Sequence, residues 1–154
     1  MRIGLGFDLH AFGGDRPLVL GGVTVEGPGL VGHSDADVVA HAVADALLGA
    51  AGLPDLGTLF PAADERYAGA DSMVLLAEVA GKVKRARYRV GNVDVVIVAE
   101  KPRLAPHLRM MADNLQQVVG GFVAVKPKRN EGIGAIGRGE GIAALAVALL
   151  EEEG

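Results

Sequence analysis

The sequence predicts a single domain of the α+β class spanning residues 1–154, and three observations lead there. A chain of 154 residues fits one domain and can bury a core without disulfides or a structural metal. Stretches at 2–8 and 93–99 have the alternation or β-branched content of strands, whereas apolar residues recur at helical spacing in 35–52, 71–85, 106–119 and 140–150. No repeat, low-complexity tract or domain boundary interrupts the chain.

Ile3, Leu5 and Phe7 alternate with Arg2, Gly4, Gly6 and Asp8, the period of a strand buried on one face. Leu18–Leu20 and Val23–Val25 flank Gly21-Gly22, a dipeptide that supplies the positive φ of a tight hairpin turn. Ser34 followed by Asp37 has the spacing of a capping box, and Val38, Val39, Ala42, Ala46 and Leu47 continue a helix that ends by Gly52. From Gly52 to Gly69 the chain reads as a long irregular connection, a kind of loop that is often functional. Asp71 or Ser72 opens a second helix with Lys82, Lys84 and Arg85 at its C-terminal end, where the macrodipole favours them. The β-branched run Val93 to Ala99 reads as a central strand, broken at Pro102. A helix from Pro106 to Val119 turns Leu108, Met111, Leu115 and Val118 inward, and Gly120-Gly121 stops it before a strand at Phe122 to Val125. The last helix is expected from Glu140 to Leu150, followed by Glu151, Glu152 and Glu153, which oppose its dipole.

Composition narrows the function. The chain has no cysteine, so disulfides and thiolate zinc sites are excluded and any metal ligands are N and O. A net charge of −4 with no long basic tract argues against nucleic-acid binding. Met1 leads straight into the first strand, and no apolar run is long enough to cross a bilayer, so a cytoplasmic protein with no membrane partner is expected. Half of the residues are apolar, yet only four Phe and two Tyr are present among 23 glycines, a small-residue composition suited to close subunit packing.

Asp8 and His10 are two apart at the end of the first strand, so their side chains share a face with Cα atoms roughly 6.6 Å apart. His41, in the first turns of the first helix, can supply a third ligand. Two imidazoles and a carboxylate suit a borderline ion such as Zn²⁺, and three protein ligands leave a position open for water or substrate. Asp37 and Asp45 lie one helical turn either side of His41, either to orient its ring or as part of a polar face. His33-Ser34 sits where the first helix begins, which reads equally as an anion site or as a simple cap beside a loop histidine. Lys126, Lys128, Arg129, Asn130, Glu131 and Arg138 stand among Gly132, Gly134, Gly137 and Gly139. That segment reads as a phosphate cradle or a solvated basic loop, in which Glu131 either neutralises its neighbours or holds a harder cation. Asp55, with Gly57, either accepts hydrogen bonds from substrate hydroxyls or forms a turn, and His107 is expected to be structural or exposed.

Several stretches, in order, closely resemble the 2-C-methyl-D-erythritol 2,4-cyclodiphosphate synthase family: residues 2–10, Gly32-His33-Ser34-Asp35-Ala36-Asp37, His41, residues 45–50, Gly91-Asn92-Val93-Asp94 and Gly137-Arg138-Gly139-Glu140-Gly141. The resemblance covers essentially the whole chain. It implies an α+β sandwich with one mixed sheet of about four main strands plus a small hairpin packed against helices, assembled as a homotrimer with active sites between subunits. The implied reaction belongs to the non-mevalonate route to isoprenoids. In it the 2-phosphate of 4-diphosphocytidyl-2-C-methyl-D-erythritol 2-phosphate attacks the β-phosphorus, forming the cyclic diphosphate and releasing CMP.

The resemblance also implies roles for residues. Asp8, His10 and His41 would hold Zn²⁺, and Glu131 a Mg²⁺ or Mn²⁺. His33 and Arg129 would be catalytic. Substrate would be bound by Asp8, Leu9, His10, His33, Ser34, Asp55, Leu56, Gly57, Ala99, Arg103, Lys128, Arg129, Asn130, Glu131 and Arg138, with cytosine near Ala99 to Ala105. Phe7, Arg138 and Glu140 would line a central cavity of the trimer that takes an isoprenoid diphosphate. Departures from the family pattern are Lys128-Arg129 for the usual Thr-Thr, Ala62 for Asp, and Ala135 for a frequent aromatic residue. A zinc-dependent phosphohydrolase on the same scaffold, and a non-catalytic trimer that binds the isoprenoid diphosphate the resemblance implies, are the competing functions.

Overall fold

The computed structural model describes residues 1–154. Strand β1 (Arg2–Gly14) runs well past the expected Asp8, and β2 (Leu18–Leu20) and β3 (Val23–Val25) form a separate hairpin. Its turn residues Gly21 and Gly22 have φ of 55° and 71°, the left-handed values that a two-residue hairpin requires. β4 (Gly29–Leu30), α1 (Val38–Ala51), α2 (Leu56–Leu59), a 3₁₀ turn at Glu65–Tyr67 and α3 (Ser72–Arg85) follow. The connection expected to be irregular therefore contains two short helical pieces. β5 (Tyr88–Val98), α4 (Leu108–Val119), β6 (Phe122–Lys128), α5 (Gly134–Gly137) and β7 (Gly141–Glu152) complete the chain.

The main sheet has the order β4-β1-β7-β5-β6. It is mixed: β5 and β6 are parallel and joined through α4, while the other pairs are antiparallel. One apolar cluster lies between this sheet and the helices, with Leu47, Leu48, Leu76, Ile97, Met111, Leu115, Ile142 and Leu150 fully enclosed. The α+β class and the mixed sheet with a small hairpin agree with the sequence.

The segment expected to be the last helix is instead β7, in the middle of the sheet between β1 and β5. Ala143, Ala144, Ala146 and Ala148 favour a helix in isolation. Here Ala144, Ala146 and Ala148 are buried on the helix-covered face, where small side chains let α1 lie close, so packing overrides propensity. Glu151 pairs with Arg89 across the β5–β7 ladder, so this end belongs to the sheet rather than to a helix terminus.

The polarity of β1 also differs from expectation. Ile3, Leu5, Phe7 and Leu9 point away from the helices, with Ile3 73% and Phe7 56% exposed. The buried face carries Gly4 and Gly6. A Cβ on Gly6 would lie 1.9 Å from the Ala42 carbonyl oxygen, and one on Gly4 2.0 Å from that of Ala46. β1 thus lies flush on α1 because nothing projects between the backbones, and this contact brings His41 over Asp8 and His10, which stand in the middle of the strand rather than at its expected end.

The first helix is capped by Asp37 rather than Ser34. The Asp37 carboxylate accepts Val39 and Ala40 N–H at 3.1 and 3.0 Å, and also Gly21 and Gly22 N–H at 2.9 and 2.8 Å. One fully buried carboxylate therefore joins the hairpin turn to the helix, and its burial pushes its pKa up against the pull of those donors. Gly52 closes the helix in the left-handed conformation, φ 71°.

Candidate functional site

Asp8 and His10 project from the same face of β1 as Gly4 and Gly6, beyond the point of closest approach to α1. His41 meets them from the first turn of that helix. Asp8 Oδ2 lies 2.9 Å from both His10 Nε2 and His41 Nδ1, and the two nitrogens are 3.4 Å apart. Ligands on a tetrahedral ion with bonds near 2.0–2.1 Å are separated by about 3.3 Å, so the three atoms already stand close to metal-ligand spacing. His10 Nδ1 donates to the Val31 carbonyl at 2.7 Å, which leaves Nε2 as the nitrogen aimed at the cluster. The donor set fits a divalent ion and retains an open side toward the pocket.

Electrostatics at the cluster follow from the same contacts. Burial, the largest single influence on Asp8, disfavours its charge. Hydrogen bonds and positive charge from His10 and His41 outweigh that and hold its carboxyl well below the usual carboxylate range. His10 moves upward, chiefly through its hydrogen bond to Asp8, with burial opposing and the charge of Asp8 assisting.

The pocket around the cluster has a volume of ≈ 300 Å³ and is also lined by His33, Ser34, Asp45, Leu56, Gly57, Phe60, Ala62, Tyr67 and Leu75. Neither Asp37 nor Asp45 orients the His41 ring. Asp37 is consumed by capping, and Asp45 accepts Leu56 N–H at 2.8 Å, holding the Asp55 to Gly57 turn against α1. The ring's far nitrogen, Nε2, instead meets Ser72 Oγ at 2.8 Å and Ser34 Oγ at 3.1 Å. Ser72 has no ligand spacing to mark it in sequence, since it is 31 residues from His41. Asp37 takes the Val39 and Ala40 N–H groups of α1, so of the two readings of His33-Ser34 the anion reading has only its side chains to rest on and not those helix amides. His33 is held by its ring to the Asp64 carbonyl at 3.1 Å, and Arg16 donates to the carbonyls of His33 and Ser34. Asp55 is exposed and accepts from Thr58 Oγ1, which lowers its pKa.

A second cleft, with a volume of ≈ 450 Å³, lies at the end of β5 and β6, lined by Ala99 to Ala105 with Pro127, Lys128 and Arg129. None of its residues lines the pocket at Asp8, His10 and His41. Sequence reasoning missed its organising residue, Glu100. One carboxylate oxygen of Glu100 accepts Asn130 and Gly132 N–H at 2.7 and 3.4 Å, and the other lies 4.0 Å from Arg129 Nε. It thereby shapes the turn that carries Glu131 at a φ of 51°. Glu131 is exposed and stands outside the Asp8, His10 and His41 cluster. Lys126 belongs to β6 and pairs with Asp94 at 2.6 Å, so it is no part of the loop. Arg138 pairs with Glu140 at 2.6 Å, and Arg103, His107, Arg129 and Arg138 line an adjoining hollow. No helix is long and apolar enough to cross a membrane.

Sequence and structure comparisons find relatives of this chain along nearly its whole length. The chain is 52% identical over 155 residues to a 2-C-methyl-D-erythritol 2,4-cyclodiphosphate synthase of Thermosynechococcus vestitus, covering 98% of this chain and 96% of that one. It is 54% identical over 153 residues to a bifunctional enzyme IspD/IspF of Anaeromyxobacter sp., of which it spans only 40% while 97% of this chain is matched. The solved structure of IspF from Plasmodium falciparum in complex with CDP superposes with a TM-score of 0.86 at 31% identity, over 99% of this chain and 97% of that one. A family profile described as the YgbB family matches residues 1–151. With matches of this length and identity, the chain belongs to the YgbB family, together with relatives named 2-C-methyl-D-erythritol 2,4-cyclodiphosphate synthase.

Proposed function

We propose that this chain is a cyclodiphosphate synthase of isoprenoid biosynthesis. It converts 4-diphosphocytidyl-2-C-methyl-D-erythritol 2-phosphate to 2-C-methyl-D-erythritol 2,4-cyclodiphosphate and CMP. The observation that carries the reading is the convergence of Asp8, His10 and His41 to 2.9–3.4 Å in a chain 52% identical to a named synthase.

In the proposed reaction an oxygen of the 2-phosphate forms a bond to the β-phosphorus, and the bond from that phosphorus to the oxygen bridging it to the α-phosphorus breaks, with CMP carrying the electron pair away. Nucleophile and electrophile belong to one molecule, so positioning supplies much of the rate, with effective molarities of roughly 10⁵–10⁸ M for aligned groups. Asp8, His10 and His41 would hold Zn²⁺, which when bound polarises a phosphoryl oxygen. His33 and Ser34 flank that phosphate, with Leu9 offering only its backbone between the two strand ligands because its side chain lies on the opposite face of β1, while Asp55, Leu56 and Gly57 take the methylerythritol hydroxyls. Ala99 and Arg103 take the cytidine. Lys128 and Arg129 neutralise the departing CMP, with Asn130 beside them as a neutral hydrogen-bond donor and Arg129 supplying by charge what a threonine hydroxyl supplies in the family pattern. Glu131 would hold Mg²⁺ or Mn²⁺, ions that commonly take one or two carboxylates and complete their shell with phosphate oxygens.

The chain acts as a homotrimer in this reading. The bare apolar face formed by Ile3, Leu5, Phe7, Leu9, Leu145 and Val147 and the separate linings of the two pockets support a site completed by a neighbouring copy. Phe7, Arg138 and Glu140 would then border a central cavity for an isoprenoid diphosphate. Phosphorus NMR of the product tests the function: a cyclic diphosphate with stoichiometric CMP is expected. A linear phosphate carrying solvent oxygen contradicts cyclisation in favour of hydrolysis, and no turnover with both metals and substrate bound contradicts catalysis altogether.

A further inference from the structure

We propose that Ser72 and Asp35 are positioning residues that fix His41 as a metal ligand through Nδ1. The proposal rests on the metal site proposed above. It is read from a proton count around one hydroxyl.

Ser72 Oγ has one proton and two lone pairs. Asp35, as a carboxylate, only accepts, so the Ser72 proton goes to Asp35 Oδ1, while Asp35 Oδ2 accepts the Ser72 N–H at 3.1 Å. Both oxygens of one carboxylate thus grip one residue. Asp35 Oδ1 also accepts Asp37 N–H at 3.0 Å, and the Asp35 N–H donates to the Ala70 carbonyl at 3.0 Å, so the carboxylate is tied to the segments before both α1 and α3. Ser34 Oγ accepts Ala36 N–H at 3.2 Å, and its own proton has Ser72 Oγ at 3.3 Å as a partner. What remains at Ser72 Oγ is one lone pair, facing His41 Nε2 at 2.8 Å. A lone pair there requires the proton on Nε2, so the proton that Nδ1 shares with Asp8 Oδ2 at 2.9 Å is the one a metal displaces, and Nδ1 is the nitrogen left to bind it.

The relay runs from His41 Nε2–H to Ser72 Oγ–H to Asp35. It selects the tautomer and holds the ring plane, as carboxylates behind metal-binding histidines do, with a hydroxyl interposed. Ser72 is 1% exposed, so water does not compete for the contact. Ser34 Oγ, 3.1 Å from the same nitrogen, has no carboxylate behind it and replaces Ser72 only in part.

The test is zinc affinity of the full chain, measured by competition with a chromophoric chelator for wild type and Ser72→Ala, alongside thermal unfolding of the metal-free forms. Zinc should bind about 10–100-fold more weakly to the variant, while the metal-free variant still unfolds cooperatively, somewhat below wild type because Asp35 and His41 lose a buried partner. Equal affinities overturn the relay, as does a loss of metal-free stability with zinc affinity retained, which would make Ser72 a structural anchor only. Wild type that binds no zinc overturns the metal site itself. Nitrogen-15 NMR of zinc-loaded wild type gives a readout that needs no variant: a slowly exchanging proton on His41 Nε2 is expected, and a proton on Nδ1 or metal on Nε2 contradicts the proposal.

Discussion

The pocket at Asp8, His10 and His41 and the cleft under Ala99 to Ala105 differ in how they are built. The first is set by backbone contact: Gly4 and Gly6 allow β1 to touch α1, and the ligands stand 2.9–3.4 Å apart with ring nitrogens hydrogen-bonded to fixed partners. The second is set by side chains on a turn, where Glu100 gathers the amides of Asn130 and Gly132 beneath exposed Lys128 and Arg129. An end built on backbone contact suits an ion with narrow geometric demands, and an end built of exposed charge suits a phosphate. The two share no lining residue, which under the proposed function is met by two copies of the chain meeting across the bare face of β1 and β7.

The sharpest break of this comparison is His41→Ala. It should abolish zinc binding and lower turnover on the order of 10³-fold, several kcal/mol of transition-state stabilisation, while circular dichroism stays that of the wild type. Full activity would refute the metal assignment. Arg129→Ala acts at the other end, and loss of a charge-assisted contact worth about 1.5–3 kcal/mol should cost about 10–100-fold in turnover with zinc affinity unchanged. A drop in zinc affinity would show that the two ends are not independent. Gly6→Ala places a methyl against the Ala42 carbonyl, and the forced separation of β1 and α1 should cost about 1–3 kcal/mol in chemical denaturation. It should also weaken zinc binding, because His41 moves with the helix. Unaltered stability would mean the contact is looser than the structure places it.

The smallest effect is on pH dependence, again confined to the metal end. With His10 raised by its hydrogen bond to Asp8, a proton competes with zinc at pH values above the ordinary imidazole pKa of about 6.5. Zinc affinity should therefore rise with pH through the His10 titration, and fall about tenfold per unit below it. In the metal-free protein the same contact contributes stability most fully between about pH 3.9 and 6.5. The raised His10 contribution is present below the unfolded imidazole pKa and lost as pH rises through its folded value. The lowered Asp8 contribution is present above the unfolded carboxylate pKa and lost as pH falls. Calorimetry across this range checks both limbs, and a flat zinc affinity between pH 5 and 8 would contradict the coupling.

Much of this architecture was legible in the residues. Gly21-Gly22 announced its hairpin because a two-residue turn needs positive φ, and Asp8-x-His10 with His41 announced a ligand set because strand and helix periods put them on facing surfaces. The β7 segment was not legible: apolar residues occupy both of its faces, so Ala144, Ala146 and Ala148 alternate with Leu145, Val147 and Leu149 without polar contrast, and alanine-rich composition points to helix. The orientation of β1 misled for a related reason. Ile3, Leu5 and Phe7 look like core residues, but the space against α1 admits only glycine. Glu100 and Ser72 were invisible because their roles depend on contacts 30 and 31 residues away, and no local pattern records such a distance.

The proposed sharing of one site between subunits is tested most directly by subunit complementation. His41→Ala disables the metal end and Arg129→Glu reverses charge at the nucleotide end, so each protein alone should be nearly inactive. When the two are mixed under conditions that exchange subunits, with hybrids verified by native mass spectrometry, about a quarter of the sites should pair an intact metal end with an intact nucleotide end from a neighbour. Turnover should then recover toward about a quarter of wild type. Hybrids with no more activity than the sum of their parents would contradict a site built from two copies.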